Sequence, residues 1–66
     1  MTDSDLAVLS SLAAQLDEIG RRVTAMAERY GTTPDSAVAA DLYSAERALL
    51  TASRAVARAT DNLVRR

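Results

Sequence analysis

The chain has 66 residues and a formal net charge of −1, and it contains neither Cys nor His. A domain of this length buries only about 60% of the surface that its unfolded chain exposes, so small domains usually need disulfides, a metal or oligomerisation. Disulfides and the usual zinc sites are excluded by composition, which makes oligomerisation the expected source of stability. The small net charge excludes a global field that attracts nucleic acid or an anionic membrane.

Uncharged stretches of the chain are too short for a membrane span. The longest one, residues 6–16, falls short of the roughly 18 to 20 apolar residues that a span requires. The first five residues contain two Asp and no basic residue, where a signal peptide is basic. We therefore expect a cytoplasmic protein without membrane contact. The eight basic residues are all Arg and Ala is the commonest residue, a bias typical of GC-rich bacterial genomes.

The first element in the chain is a helix predicted over residues 3–30. Thr2 and Asp5 have the spacing of a capping box ahead of an apolar run, which indicates a helix start. Asp3 and Asp5 near the start and Arg29 near the end complement the helix dipole. Gly31 suits the left-handed conformation that follows many helix ends, because it has no Cβ to clash.

A second helix is predicted over residues 34–65, after a turn at 31–33. Pro34 suits the first helical turn, where no amide donor is needed, and Thr33 suits the N-cap that precedes it. Nothing in the pattern indicates a strand. The whole chain, 1–66, is therefore expected to be one helical hairpin.

Both helices carry a heptad-like apolar stripe with alternating steps of three and four residues. In the first helix the stripe consists of Leu9, Leu12, Leu16, Ile19, Val23, Met26 and Tyr30. In the second helix it consists of Val38, Leu42, Ala45, Leu49, Ala52, Val56, Ala59 and Leu63. The expected fold class is all-α, an antiparallel, coiled-coil-like two-helix hairpin.

Folding the chain at residues 31–33 gives a definite register, in which Leu16 lies against Leu49 and Ile19 against Ala45. Small residues recur every seven positions and predict closely packed helices; they are Ala13, Gly20 and Ala27 in the first helix and Ala45, Ala52 and Ala59 in the second. Gly20 has an alternative interpretation as a hinge.

Further apolar residues of the second helix lie beside its stripe and are expected to face water in a lone hairpin. They comprise Tyr43, Leu50, Ala57 and Val64 at heptad spacing, Ala48 and Ala55 on the opposite shoulder, and the end of the stripe at Leu63. We predict that these residues form a protein interface. The simplest closed arrangement is a homodimer that forms a four-helix bundle, although another helical protein could use the same groove.

No catalytic, metal or cofactor signature is present, and we expect no enzyme. A hydroxyl nucleophile has no His, Cys or Lys to activate it, and the few glutamates lie off the stripe without the histidines that carboxylate metal sites use. Asp17 with Arg21, Glu18 with Arg22, and Asp61 with Arg65 have the spacing of ordinary helical ion pairs.

The leading hypothesis is a non-enzymatic, self-associating interaction module that serves as a small subunit or adaptor. The alternative is a small DNA-associated regulator that contacts phosphates through an Arg row on the second helix: Arg47, Arg54, Arg58 and Arg65. The acidic net charge and the lack of aromatic residues on that face weigh against nucleic acid. A carrier with a ligand between the helices is a third possibility, which the small residues of the stripe disfavour.

In outline, the hairpin predicted for this chain resembles the small secreted hairpin proteins of the WXG family. The Trp-x-Gly turn of that family is absent, because the chain has no Trp and its turn reads Tyr30-Gly31-Thr32. The sequence therefore assigns the chain to no family.

Overall fold

The computed structural model describes residues 2–66, apart from the side chain of Thr2, and consists of two long helices joined by a short turn. Helix α1 spans Thr2–Tyr30 and helix α2 spans Ser36–Val64, 29 residues each. The two helices pack against each other as a hairpin whose Cα atoms extend over 51 × 14 × 10 Å. The predicted all-helical, two-helix fold is confirmed.

Helix α1 has the predicted charges at its ends, with Asp3 and Asp5 in the first turn and Arg29 in the last. Carboxylates near the N-terminus and a guanidinium near the C-terminus both stabilise the helix dipole. The capping box predicted for Thr2 and Asp5 depends on the Thr2 side chain, which lies outside the described residues.

The end of α1 is closed by threonine hydroxyls. Thr32 Oγ1 donates to the carbonyl of Arg29 at 3.1 Å, and Thr33 Oγ1 donates to the carbonyl of Tyr30 at 2.8 Å. The Gly31 N–H continues the helical pattern to Ala27 O at 2.9 Å, and no described glycine has a positive φ. The predicted left-handed Gly31 is therefore wrong, because Gly31 continues the helical path and the two hydroxyls satisfy the last carbonyls of α1.

Helix α2 begins two residues later than predicted, at Ser36, with Asp35 at the N-cap. The Asp35 side chain makes no capping hydrogen bond, and the hydroxyl of Thr33 accepts from the Asp35 N–H at 3.1 Å. Thr33 therefore organises the turn, bonded to α1 behind it and to Asp35 ahead of it, and does not cap α2. The turn covers residues 31–35.

The contact between the helices uses a stripe that is rotated from the predicted one. Buried or half-buried positions recur every three and four residues along the seam, and Thr24 and Ala52 are half-buried beside it. On α1 the seam consists of Leu6, Leu9, Ala13, Leu16, Gly20, Val23, Ala27 and Tyr30. On α2 it consists of Ala39, Leu42, Glu46, Leu49, Ser53, Val56, Thr60 and Leu63.

Half of the predicted stripe lies in this seam and half lies outside it. The large residues Leu9, Leu16 and Val23 are half-buried, whereas Leu12, Ile19 and Met26 are exposed. The same division holds on α2, where Val38, Ala45 and Ala59 are exposed. The helices approach each other over the small residues Ala13, Gly20 and Ala27, so α2 sits to one side of the stripe that α1 presents.

The seam buries very little. Among the described residues, only Ala27 and Ala39 count as buried, with 0% and 4% of their surface exposed. No large side chain of the described chain is fully enclosed. The contact between the two helices is therefore a narrow seam of partly exposed side chains, without an enclosed hydrophobic core.

The register also differs from the predicted one. The predicted pairs place Thr24 level with residue 41, but the Thr24 hydroxyl donates a hydrogen bond to a carboxylate oxygen of Glu46, five residues further along α2. The longer turn accounts for part of this shift. The rest follows from side-chain direction, because helical side chains lean towards the N-terminus of their own helix and Glu46 therefore reaches towards the turn.

Gly20 generates a stability prediction. A Cβ added at Gly20 meets no atom within 4 Å, so close packing does not require glycine there. Gly20→Ala should raise the free energy of unfolding by about 1 kcal/mol, the helix-propensity difference between the two residues. Thermal and urea unfolding at one fixed protein concentration measure the change. A loss of stability in this variant would show that the helices need the close approach or a hinge at this position.

Candidate interaction surfaces

The outside of the hairpin carries an unusual number of large apolar side chains. Eight of them are exposed among the described residues: Val8, Leu12, Ile19, Met26, Val38, Tyr43, Leu50 and Val64. Isolated exposed hydrophobic residues are normal on a protein surface, whereas contiguous apolar patches mark interaction sites. Whether these eight side chains mark an interaction site therefore depends on whether they form contiguous patches.

Two shallow hollows show which residues share a side of the hairpin. One hollow is lined by Val8 and Leu9 of α1 together with Ala59 and Leu63 of α2. Val8 and Ala59 therefore lie on the same side. Residues seven apart on a helix occupy the same side, and Leu12 follows Val8 by one turn. This side comprises Val8, Leu12, Ile19 and Met26 from α1 and Val38, Ala45, Ala52 and Ala59 from α2, and we call it the Ile19 face.

The second hollow, lined by Gly20, Thr24, Glu46 and Leu50, lies on the opposite side. Heptad spacing extends this side along α2 in both directions from Leu50. It comprises Tyr43, Leu50, Ala57 and Val64 from α2 and Ser10, Asp17 and Thr24 from α1, and we call it the Leu50 face.

The Ile19 face is apolar on both helices, apart from its end far from the turn, where Asp5 and Arg66 also line the hollow. Its large residues lie mainly on α1, where Ile19 is 45% and Val8 is 54% exposed, and its small residues are the alanines of α2. Along its α1 edge, Arg22 and Arg29 border the hollow that Ile19 and Met26 line. Its α2 edge carries Asp41, Ala48, Ala55 and Asn62 at heptad spacing.

The Leu50 face is apolar only along α2. Leu50 and Val64 are 49% and 64% exposed, and Tyr43 is only just exposed. The α1 side is polar there, and the Thr24 to Glu46 hydrogen bond crosses between the helices at its border. This face is a single apolar row beside a polar one.

The seven predicted interface residues thus do not share one surface. Tyr43, Leu50, Ala57 and Val64 lie together on the Leu50 face. Ala48 and Ala55 lie on the edge of the Ile19 face, and Leu63 is half-buried in the seam. Sequence reasoning missed Leu12, Ile19, Met26 and Val38 as surface residues because it placed them between the helices.

Charged side chains lie on the outer surfaces. Arg47, Arg54, Arg58 and Arg65 are all exposed on α2, on the side away from the seam. Within residues 2–66 the salt bridge is Arg21 with Glu18, at 2.8 Å. Arg21 was predicted to pair with Asp17, four residues before it, but it pairs with Glu18, three residues before it. Both spacings bring helical side chains close together.

No three His, Cys, Asp or Glu residues of the described chain are grouped so as to hold a metal ion. Neither helix, over the residues described, has a stretch both long and apolar enough to cross a membrane.

Fold and surface together define a two-helix hairpin with one face open and apolar. No family model matches the chain, and neither the curated proteins nor the solved structures contain a significant match.

The polar border of the Leu50 face gives a second stability prediction. Glu46 is a half-buried acid in the seam whose carboxylate accepts from Thr24. Thr24→Val should lower the free energy of unfolding by about 1 kcal/mol, because the carboxylate loses a partner while it stays partly desolvated. Glu46→Leu, which removes the charge, should be neutral or stabilising. Urea unfolding measures the free energy of unfolding of both variants. Equal decreases for Thr24→Val and Glu46→Leu would contradict this account.

Proposed function

We propose that the chain is a non-enzymatic protein–protein interaction module that acts by self-association, as a small subunit or adaptor. The observation that carries the proposal is the contrast between the seam and the outer surface. The seam buries two alanines, while eight large hydrophobic side chains remain exposed among the described residues. A partner would supply the core that the hairpin lacks.

The energetic scale supports this proposal. Full burial of a Val, Leu, Ile or Met side chain contributes about 1.5–3 kcal/mol, so covering the exposed part of a residue that shows about half of its surface contributes about 1 kcal/mol. Five such residues lie on the Ile19 face. Their sum is comparable to the whole stability of a small domain, which is on the order of 5 kcal/mol. Association would therefore decide whether this hairpin is folded.

Chemistry of the side chains favours binding over catalysis. The chain has no His, Cys or Lys that could activate one of its serines. We propose a cytoplasmic location on the composition, and a second copy or another helical protein as the partner.

Self-association predicts a particular dependence on concentration. At about 100 µM the chain should elute with twice its 7.0 kDa mass in size exclusion with light scattering. Dilution to about 0.1 µM should lower its helicity in circular dichroism, because folding is coupled to association. A 7.0 kDa species with unchanged helicity over this range contradicts the proposal.

The second candidate function is phosphate contact through the Arg row. It is favoured by the exposure of Arg47, Arg54, Arg58 and Arg65, none of which lies in a salt bridge within residues 2–66. Phosphate contacts are strongest at low salt. Binding to random duplex DNA at about 50 mM salt that falls steeply as salt rises would support it. Absence of binding at that salt removes it, and Arg54→Gln provides the matched variant if binding is seen.

A further inference from the structure

We infer that the Ile19 face is the self-association surface, that its occupant is a second copy of this chain, and that the two-fold axis runs parallel to the helices. The inference rests on the proposed function and specifies its geometry. In the resulting four-helix bundle, both turns lie at the same end, and α1 of each copy packs against α2 of the other.

The direction of the heptad stripe is the first support. Apart from Val8, the residues exposed on the Ile19 face are the half of the predicted stripe that the contact within the hairpin does not cover: Leu12, Ile19, Met26, Val38, Ala45 and Ala59. In a four-helix bundle each helix has two neighbours, and its apolar stripe points between them, towards the bundle axis. The hairpin seam covers one side of that stripe. A second hairpin on the Ile19 face would cover the other side.

Self-complementary shape is the second support, because a two-fold interface requires one patch to fit itself. The large residues Leu12, Ile19 and Met26 lie on α1, and the alanine stretch Ala45 to Ala59 lies level with them on α2. An axis parallel to the helices places each large row against the small row of the other copy. An axis perpendicular to the helices places large against large and alanine against alanine, which leaves uneven layers.

Charge complementarity is the third support. Arg22 and Arg29 lie along the α1 edge of the Ile19 face, and Asp41 lies on the α2 edge. These edges are the opposite long sides of one hairpin. With the axis parallel to the helices, the α1 edge meets the α2 edge of the second copy, so that Arg29 faces Asp41 near the turns. An axis perpendicular to the helices places the α1 edge against the α1 edge of the second copy, and the α2 edge against its α2 edge, so it forms no such ion pair.

The available area is sufficient. The broad side of the hairpin measures 51 × 14 Å over its Cα atoms. That footprint is about 700 Å² per copy before side chains are added, close to the roughly 800 Å² per partner of a stable interface. The Leu50 face has the same length, but half of its width is polar.

The first experiment compares the two faces by size exclusion with light scattering, using Ile19→Asp and, as the matched control, Leu50→Asp. The unaltered chain should be dimeric, Ile19→Asp should lose the dimer mass, and Leu50→Asp should keep it. If Leu50→Asp alone abolishes the dimer, the assignment of the face is overturned while the proposed function stands. A monomeric, fully helical unaltered chain overturns the proposed function itself.

The second experiment tests the axis without disturbing the interface, and it does not depend on whether the aspartate variants fold. The chain has no native Cys, so Ser36→Cys, at the exposed start of α2, carries a single spin label per copy. With both turns at one end, the distance between labels should be roughly 20 to 30 Å, the diagonal of the bundle at about 1.4 interhelical spacings plus the label arms. A distance near the 51 Å length of the hairpin overturns the parallel axis.

A charge-reversal cycle tests the edges. Arg29→Asp and Asp41→Arg should each weaken the dimer by roughly fivefold, and the double variant should recover most of that loss, because each copy would again oppose unlike charges. Any effect of the two substitutions on the helix dipoles would be additive, so the double variant would not recover it. Additive losses in the double variant therefore contradict the pairing of Arg29 with Asp41 of the second copy.

Discussion

The structure depends on how much of an apolar stripe one neighbouring helix can cover. Along α1, the line through Ile19 lies roughly 50° around the helix from the line through Val23, and the line through Gly20 lies as far to the other side. Helix α2 covers Val23 and Gly20 and leaves Ile19 in water. The thin seam, the lack of a core and the open apolar face all follow from this offset.

The direction of the offset is explained by side-chain size. Ala13 and Ala27 allow α2 to approach the α1 backbone closely, whereas the large row of Leu12, Ile19 and Met26 would hold a neighbouring backbone further away. Dispersion contacts weaken quickly with distance, so a pair of helices gains most by closing over the small row. The large row is then left exposed on the outside of the hairpin.

Periodicity was sufficient to predict two helices and their pairing, but it could not locate the contact line. A stripe with steps of three and four gives only the average direction in which a helix buries its side chains. It does not tell how that buried surface is divided among the neighbouring helices. The prediction assigned the whole stripe, Ile19 included, to the contact within the hairpin. The same error removed α1 from the predicted interface, which was sought in the surplus residues of α2 such as Leu50. The alternation of large and small rows was visible in the sequence, and it is the signal that separates the contact within the hairpin from the exposed apolar row.

The turn illustrates a different limit. A threonine before a proline has a hydroxyl that can bond to the helix behind it or to the helix ahead. Sequence spacing favoured the second option for Thr33, but the carbonyl of Tyr30 lies within 2.8 Å of its hydroxyl. The choice depends on the path of the chain through five residues, which local preferences do not fix. A two-residue difference in the start of α2 then contributes to the change of register along the hairpin.

Polar residues in the seam decide which side of the hairpin can be buried. Glu46, Ser53 and Thr60 occupy three successive heptads of α2, at the border of the Leu50 face, and all three are half-buried. Thr60 satisfies its hydroxyl on the carbonyl of Val56, and Glu46 has its bond from Thr24. Covering the Leu50 face would remove the remaining water from the Glu46 carboxylate, a desolvation that one hydroxyl does not offset. Covering the Ile19 face removes water from aliphatic side chains, so the same two helices have one side that favours burial and one that opposes it.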